Sequence, residues 1–236
     1  MKSDQTSEKA VILLSGGLDS ATLLAMAAAQ GFELYTLSFD YGQRAQVELQ
    51  AARRLSEVFG AVKHQQMRIG LDQTGGSALM DDSPVPAAGK AAIRHGIPET
   101  YVPARNTVFL SFALGWAEVL GAHTIFIGAN SMDYSGYPDC RPEYMEAFNG
   151  LAALATAEAV AGGRPVRVST PLMNLTKAQI IQAGLDLGVD YGLTISCYDP
   201  GQDGTSCGQC ESCVIRLKGF ADAGQKDPVI YRTDGA

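Results

Sequence analysis

No stretch of this 236-residue chain approaches the ~18 consecutive apolar residues that a membrane span needs. The opening MKSDQTSEK is polar and lacks the apolar core of a secretory signal. From these two absences we expect a cytoplasmic protein. Positive charge is scarce as well: 18 Lys and Arg face 25 Asp and Glu, a net charge of −7. That deficit argues against a surface built for polynucleotides or anionic membranes, so neither stable nucleic acid nor membrane is expected as a partner. Internal repeats and low-complexity tracts are missing. Only three histidines occur, His64, His95 and His123, and none has an acidic or cysteine partner at ligand spacing. Both G-x-x-x-x-G-K-[ST] and G-x-G-x-x-G are absent. What remains is a composition ordinary for a globular protein, 46% hydrophobic and 18% charged. A chain of this length buries roughly 70% of its unfolded surface, so its core needs no covalent staple.

Apolar runs at AVILL (10–14), ELYTLSF (33–39), VKHQQMRI (62–69), TIFIGA (124–129) and VRVST (166–170) read as strands. Segments 19–30, 44–59, 105–122 and 142–162 read as helices, with Trp116, Phe109 and Phe112 as core residues of the third. A further helix opens at TKAQ, where Thr176 and Gln179 have the spacing of a capping box. This alternation predicts an α/β fold: a doubly wound, mostly parallel five-stranded sheet with helices on both faces. Residues 70–103 break the rhythm with glycine and proline, and are expected to form a mobile insertion or lid. The expected organisation is an α/β domain over 10–190, a C-terminal module over 191–225, and tails at 1–9 and 226–236.

Doubly wound sheets bind ligands beyond the carboxyl ends of their strands. SGGLDS, FDYGQ, PARN and GANSMDYSGYPDCR should gather there. SGGLDS follows a strand and opens a helix, the setting of a phosphate loop. Gly16 and Gly17 let successive N–H groups turn inward, Ser15 and Ser20 offer hydroxyls, and Asp19 suits Mg²⁺ beside a phosphate. The plainer reading is a helix cap. Near the C-terminus Cys197, Cys207, Cys210 and Cys213 crowd into seventeen positions as C-x9-C-x2-C-x2-C. Four thiolates suit tetrahedral Zn²⁺, and VIRLKGF after Cys213 reads as a helix closing the site. An iron–sulfur cluster fits less well because no C-x3-C-P follows, and a redox C-x2-C pair is the remaining rival. Cys140 stands apart and reads most simply as a small buried hydrophobe.

SGGLDS resembles the PP-loop, S-G-G-x-D-S, of the ATP pyrophosphatases, which implies cleavage of ATP at the α-phosphate. TPLMNLTK (170–177) resembles the segment whose lysine, here Lys177, steadies the leaving pyrophosphate in such enzymes. SGGLDS, FDYGQ, YVPARN, DYSGYPDCR, TPL and the four cysteines follow one another as in the 7-cyano-7-deazaguanine synthases, and the chain is similar to that family from Val11 to about Phe220. The resemblance implies an adenine nucleotide alpha hydrolase-like PP-loop fold with a small zinc-binding module. It implies a carbon–nitrogen ligase of queuosine biosynthesis that uses Mg-ATP and ammonia to convert 7-carboxy-7-deazaguanine to the nitrile, with AMP and pyrophosphate as favoured products. Implied catalytic residues are Asp19, Lys177 and Arg105. The implied nucleotide site runs through Leu14, Ser15, Gly16, Gly17, Leu18, Asp19, Ser20, Ala21, Thr22, Leu23 and Leu24. Substrate contacts are expected from Asp133, Tyr134, Tyr137, Asp139 and Arg141, and a homodimer is expected. Rival readings are another PP-loop amide ligase akin to the NAD synthetases, a PP-loop tRNA-modifying enzyme, and a zinc-ribbon scaffold.

Overall fold

The computed structural model describes residues 7–73, 75–80, 84–90, 93–94, 96–132 and 136–232. Strands β1 (Lys9–Leu13), β2 (Glu33–Asp40) and β3 (Lys63–Arg68) alternate with helices α1 (Leu18–Ala29) and α2 (Val47–Val58). The insertion then carries a short antiparallel pair, β4 (Ile93–Arg94) and β5 (Ile97–Pro98). Next come α3 (Arg105–Leu120), β6 (Thr124–Phe126), α4 (Pro142–Ala155), α5 (Ala157–Val160), β7 (Arg167–Ser169), α6 (Lys177–Asp186) and α7 (Glu211–Asp222). The main sheet is parallel throughout, in the order β3-β2-β1-β6-β7.

Successive side chains of a strand point to opposite faces, and the central strand must therefore be apolar on both. Val11 and Leu13 join the layer under α3 and α4, while Ala10 and Ile12 join the layer under α1, α2, α6 and α7. The chain runs outward from β1 to β3 and then returns to place β6 on the other side of β1. The order thus reverses at the carboxyl end of β1, the switch point where doubly wound folds bind ligands.

Several local expectations need correction. The segment expected as one helix over 142–162 breaks at Thr156, whose backbone is extended (φ −103°, ψ 139°) and whose hydroxyl donates to Ala152 O at 3.0 Å. Ala157 N–H is thereby freed to donate to Glu118 Oε1 on α3 at 2.7 Å, which docks the second piece. Phe109 stacks on Phe39 with ring centroids 4.2 Å apart, and Trp116 meets Tyr35 edge-on. Phe112, expected with them in the core, is 40% exposed and reaches Phe39 only at a tilt. Helix α7 starts at Glu211, ahead of Cys213, so Cys210 is its N-cap. The segment expected as a C-terminal tail is fastened down through Asp227, which is buried against Arg216. His95 lies outside the described residues. Among the described residues, no helix is long and apolar enough to cross a membrane.

Helices α1 and α6 approach closely because Gly184 leaves room for the Tyr191 hydroxyl, which sits 2.7 Å from Thr22 Oγ1 and donates to Ile180 O at 3.1 Å. A Cβ on Gly184 would lie 2.0 Å from that hydroxyl oxygen. Alanine gains about 1 kcal/mol of helix propensity over glycine. Overpacking against a fixed buried group costs typically about 1–3 kcal/mol and sometimes more. With a contact this short the clash wins, and Gly184→Ala should lower the urea midpoint; an unchanged or raised midpoint would contradict this packing.

Candidate active site

Between β1 and α1 the backbone turns at Gly16, with φ +91°. A Cβ there would lie 2.2 Å from Glu48 O and 2.8 Å from Ala52 N, both backbone atoms of α2, so only glycine fits. The turn aligns three successive amides, each meeting a serine hydroxyl. Gly16 N–H donates to Ser20 Oγ (3.2 Å), Gly17 N–H to Ser15 Oγ (3.3 Å) and Leu18 N–H to Ser196 Oγ (3.1 Å). Asp19 follows in the first turn of α1 and accepts from Lys177 Nζ at 2.6 Å. Lys177 is aimed by the capping box at Thr176 and Gln179, which starts α6. Of the stretch 14–24, Leu14, Ser15, Gly17, Leu18, Asp19 and Ser20 line a cleft of about 250 Å³. Gly16 carries the turn behind it, and Ala21, Thr22, Leu23 and Leu24 run into the core.

The far wall of the cleft holds Arg105 at the start of α3, with Nη1 3.4 Å from the Tyr41 hydroxyl. Ala104, just before it, has φ 52°, a left-handed conformation that costs a non-glycine residue of order 1 kcal/mol. Asp139 holds this strained corner: its Oδ2 accepts from Asn106 N–H at 2.9 Å, while Asn106 Nδ2 donates to Asp139 O at 3.1 Å and meets Cys140 Sγ at 3.3 Å. Asp139 is thus a buried cap one step behind the cleft. Tyr137 lines the cleft, with its hydroxyl 3.0 Å from Thr100 Oγ1. Arg141 is exposed, and its Nε donates to Pro138 O at 3.0 Å. Asp133 and Tyr134 lie outside the described residues. Burial pushes the Cys140 thiol up to about 11, so it is neutral at physiological pH and ill suited to attack.

Sequence reasoning passed over several cleft residues. Ser196, Tyr198 and Arg216 come from the C-terminal segment, far from the loop they face. Asn130, after β6, ties that loop to the TPL segment through Nδ2 contacts with Leu172 O (2.8 Å) and Leu175 O (2.7 Å). Glu48 on α2 is half-buried at the cleft and accepts from Gln43 Nε2 at 3.2 Å. An acidic residue on an amphipathic helix carries no signal that separates it from solvated neighbours.

The sulfurs of Cys197, Cys207, Cys210 and Cys213 all lie within 4.8 Å of one another, and none of the chain's five cysteines is in a disulfide. A tetrahedron with metal–sulfur bonds of about 2.3 Å has edges of just under about 4 Å, and Cys207 Sγ to Cys213 Sγ is 3.9 Å. Backbone N–H groups of Asp199 and Cys207 point at Cys197 Sγ, and those of Gln209 and Cys210 at Cys207 Sγ, at 3.2–3.4 Å. Such donors favour thiolates, so the donor set fits a metal ion. The insertion leans on this knuckle, with Ala88 N–H donating to Gln209 O at 2.8 Å.

Burial pushes the Glu48 carboxyl from 4.5 up to about 7, against the nearby Arg105 charge. A raised carboxyl pKa means that the folded state holds the proton more tightly than the unfolded state, so stability falls as pH rises from about 4.5 to about 7. Glu48→Gln should flatten the pH dependence of the urea midpoint across that window; a slope matching the wild type would contradict the burial.

A family model described as "Queuosine biosynthesis protein QueC" matches residues 9–224. A curated 7-cyano-7-deazaguanine synthase of Desulfatibacillum aliphaticivorans is 60% identical over 95% of this chain and 97% of its own. Another, of Geobacter metallireducens, is 60% identical over 96% of this chain and 94% of its own. Among solved structures, an NMN synthetase from Francisella tularensis aligns over 93% of this chain and 79% of its own, with a TM-score of 0.50 and 19% identity, a likeness of fold. The chain belongs to the QueC family of queuosine biosynthesis proteins.

Proposed function

We propose that this chain is a 7-cyano-7-deazaguanine synthase, an ATP-dependent ligase that turns 7-carboxy-7-deazaguanine and ammonia into the 7-nitrile. The observation that carries this reading is the 60% identity to curated synthases of that name over 95% of the chain. The cleft supports it by placing phosphate-loop amides, Lys177 and Arg105 around one space.

A carboxylate resists ammonia until it carries a good leaving group. In the first round a carboxylate oxygen attacks the α-phosphorus of ATP and pyrophosphate departs. Ammonia then attacks the acyl carbon, AMP leaves, a proton is released and an amide forms. In the second round the amide oxygen attacks a second ATP, again expelling pyrophosphate. Loss of AMP and the remaining N–H protons leaves the C≡N bond. The amides of Gly16 and Gly17 with Ser15 and Ser20 hold phosphate oxygens, trading serine partners for ligand ones, while Leu18 N–H stays on Ser196. Lys177, held at the cleft beside Asp19, and Arg105, across from it, offer positive charge to the departing pyrophosphate. Mg²⁺ held by Asp19 would screen the triphosphate, and Zn²⁺ held by the four cysteines would brace the knuckle. Tyr137 offers its ring to the deazaguanine, with Asp133, Tyr134 and Arg141 supplied by the same loop and Asp139 keeping Arg105 and Asn106 in place. Val119, Leu151 and Leu154, exposed on α3 and α4, support a homodimer through that side.

Incubation with Mg-ATP, ammonia and 7-carboxy-7-deazaguanine, followed by mass spectrometry, should give nitrile with two AMP per nitrile. AMP formed only with a different acid would retain the phosphate loop and discard this substrate. Asp19→Ala should fold and lose at least about a hundredfold in AMP release; wild-type release would remove Asp19 from the machinery. Cys210→Ser should lose bound zinc and melt at a lower temperature, and full zinc content would remove it from the ligand set.

A further inference from the structure

The Arg216 guanidinium has five N–H bonds, and all five are committed. Nε–H meets Asp227 Oδ2 at 2.7 Å; the two on Nη2 meet Asp227 Oδ1 at 3.0 Å and Tyr191 O at 3.1 Å; the two on Nη1 meet Thr194 Oγ1 at 2.7 Å and Ser196 Oγ at 3.2 Å. Both side chains of the Arg216–Asp227 pair are 3% exposed, so this frame is rigid and desolvated. Ser196 Oγ is therefore in an unusual position. It receives a hydrogen bond from Arg216, which can only donate, and another from Leu18 N–H, which can only donate. Both lone pairs of the hydroxyl are occupied, and its proton must point in a third direction. Ser196 lines the cleft, and among the described residues no group accepts that proton.

The backbone around Ser196 is pinned as firmly as its side chain. Ile195 N–H donates to Gly16 O at 3.0 Å, and Ser212 Oγ donates to Ser196 O at 2.6 Å. A hydroxyl held this way presents a fixed donor beside the amides of the loop, and the complementary ligand atom is an anionic oxygen.

We propose that Ser196 is a further phosphate-binding residue, whose hydroxyl, fixed by Arg216 and Leu18 N–H, donates to a phosphate oxygen of the nucleotide. This rests on the phosphate-loop reading of SGGLDS and extends it to the C-terminal segment. Through Ser196 the segment that carries Cys197 takes part in holding nucleotide.

The test is isothermal titration with Mg-α,β-methylene-ATP, together with measurement of bound metal and melting temperature. Ser196→Ala should bind the analogue about tenfold more weakly, as expected for losing a hydrogen bond to a charged group, with metal content unchanged. Ser196→Thr, which keeps the hydroxyl, should restore binding to within about threefold, an effect of ordinary packing changes. A folded Ser196→Ala with wild-type affinity overturns the proposal. Should the alanine variant fail to fold, Ser196→Asp decides: it keeps acceptors for Leu18 N–H and Arg216 but turns a carboxylate towards the phosphates. It should fold and bind at least about tenfold more weakly, and wild-type affinity there overturns the proposal equally. Ser20→Ala separates the two readings. If it too binds as the wild type, the phosphate loop itself has fallen; if it weakens binding while the Ser196 variants do not, only this inference fails.

Discussion

The backbone of Gly16 passes so close to the first turns of α2 that no side chain can stand between them. That contact lets the chain leave the central strand, reverse sharply and enter α1 with three amides turned to one side. The remaining architecture serves this turn. The sheet order brings β6 alongside β1 and leaves the turn open to the ligand side. Helix α2 supplies the surface against which the turn is pressed, and the C-terminal segment holds it from the other side.

Charge is distributed with the same economy. An acidic chain has gathered cations around one cleft: Lys177 and Arg105 both line it, together with the positive end of α1. Exposed pairs such as Arg53–Glu57 contribute a few tenths of a kcal/mol at most. The Arg216–Asp227 pair is of another kind. Removing one member of a buried pair typically costs about 3–5 kcal/mol because the other charge is stranded. Its guanidinium is fully saturated, so it organises the cleft wall without competing for the ligand's charge.

What could be read from the sequence was what is local. The strands of the parallel sheet, the capping box at Thr176, the glycine loop and the cysteine spacing each depend on residues within a few positions of one another, and the structure retains them. The break at Thr156 was hidden because alanine-rich sequence favours helix on both sides, and only the Glu118 carboxylate on another helix makes the interruption worthwhile. Phe112 was misplaced because a hydrophobic helix does not announce which of its faces is inward. Ser196 was invisible for a deeper reason. Its partner Leu18 lies 178 positions away, and a lone serine beside a cysteine has no periodicity or spacing to mark it. Asp139 illustrates the converse: an acidic residue in a rich motif turned out to spend its carboxylate on a helix start.

The contact between Gly16 O and Ile195 N–H joins an early part of the chain to a late one. The third amide of the loop, Leu18 N–H, finds its partner at Ser196, 178 positions along the chain, and the frame behind that partner closes at Asp227. This side of the cleft therefore depends on long-range contacts rather than on local structure. A chain without the C-terminal segment would present the loop without its back wall, so the local motif alone does not make the cleft.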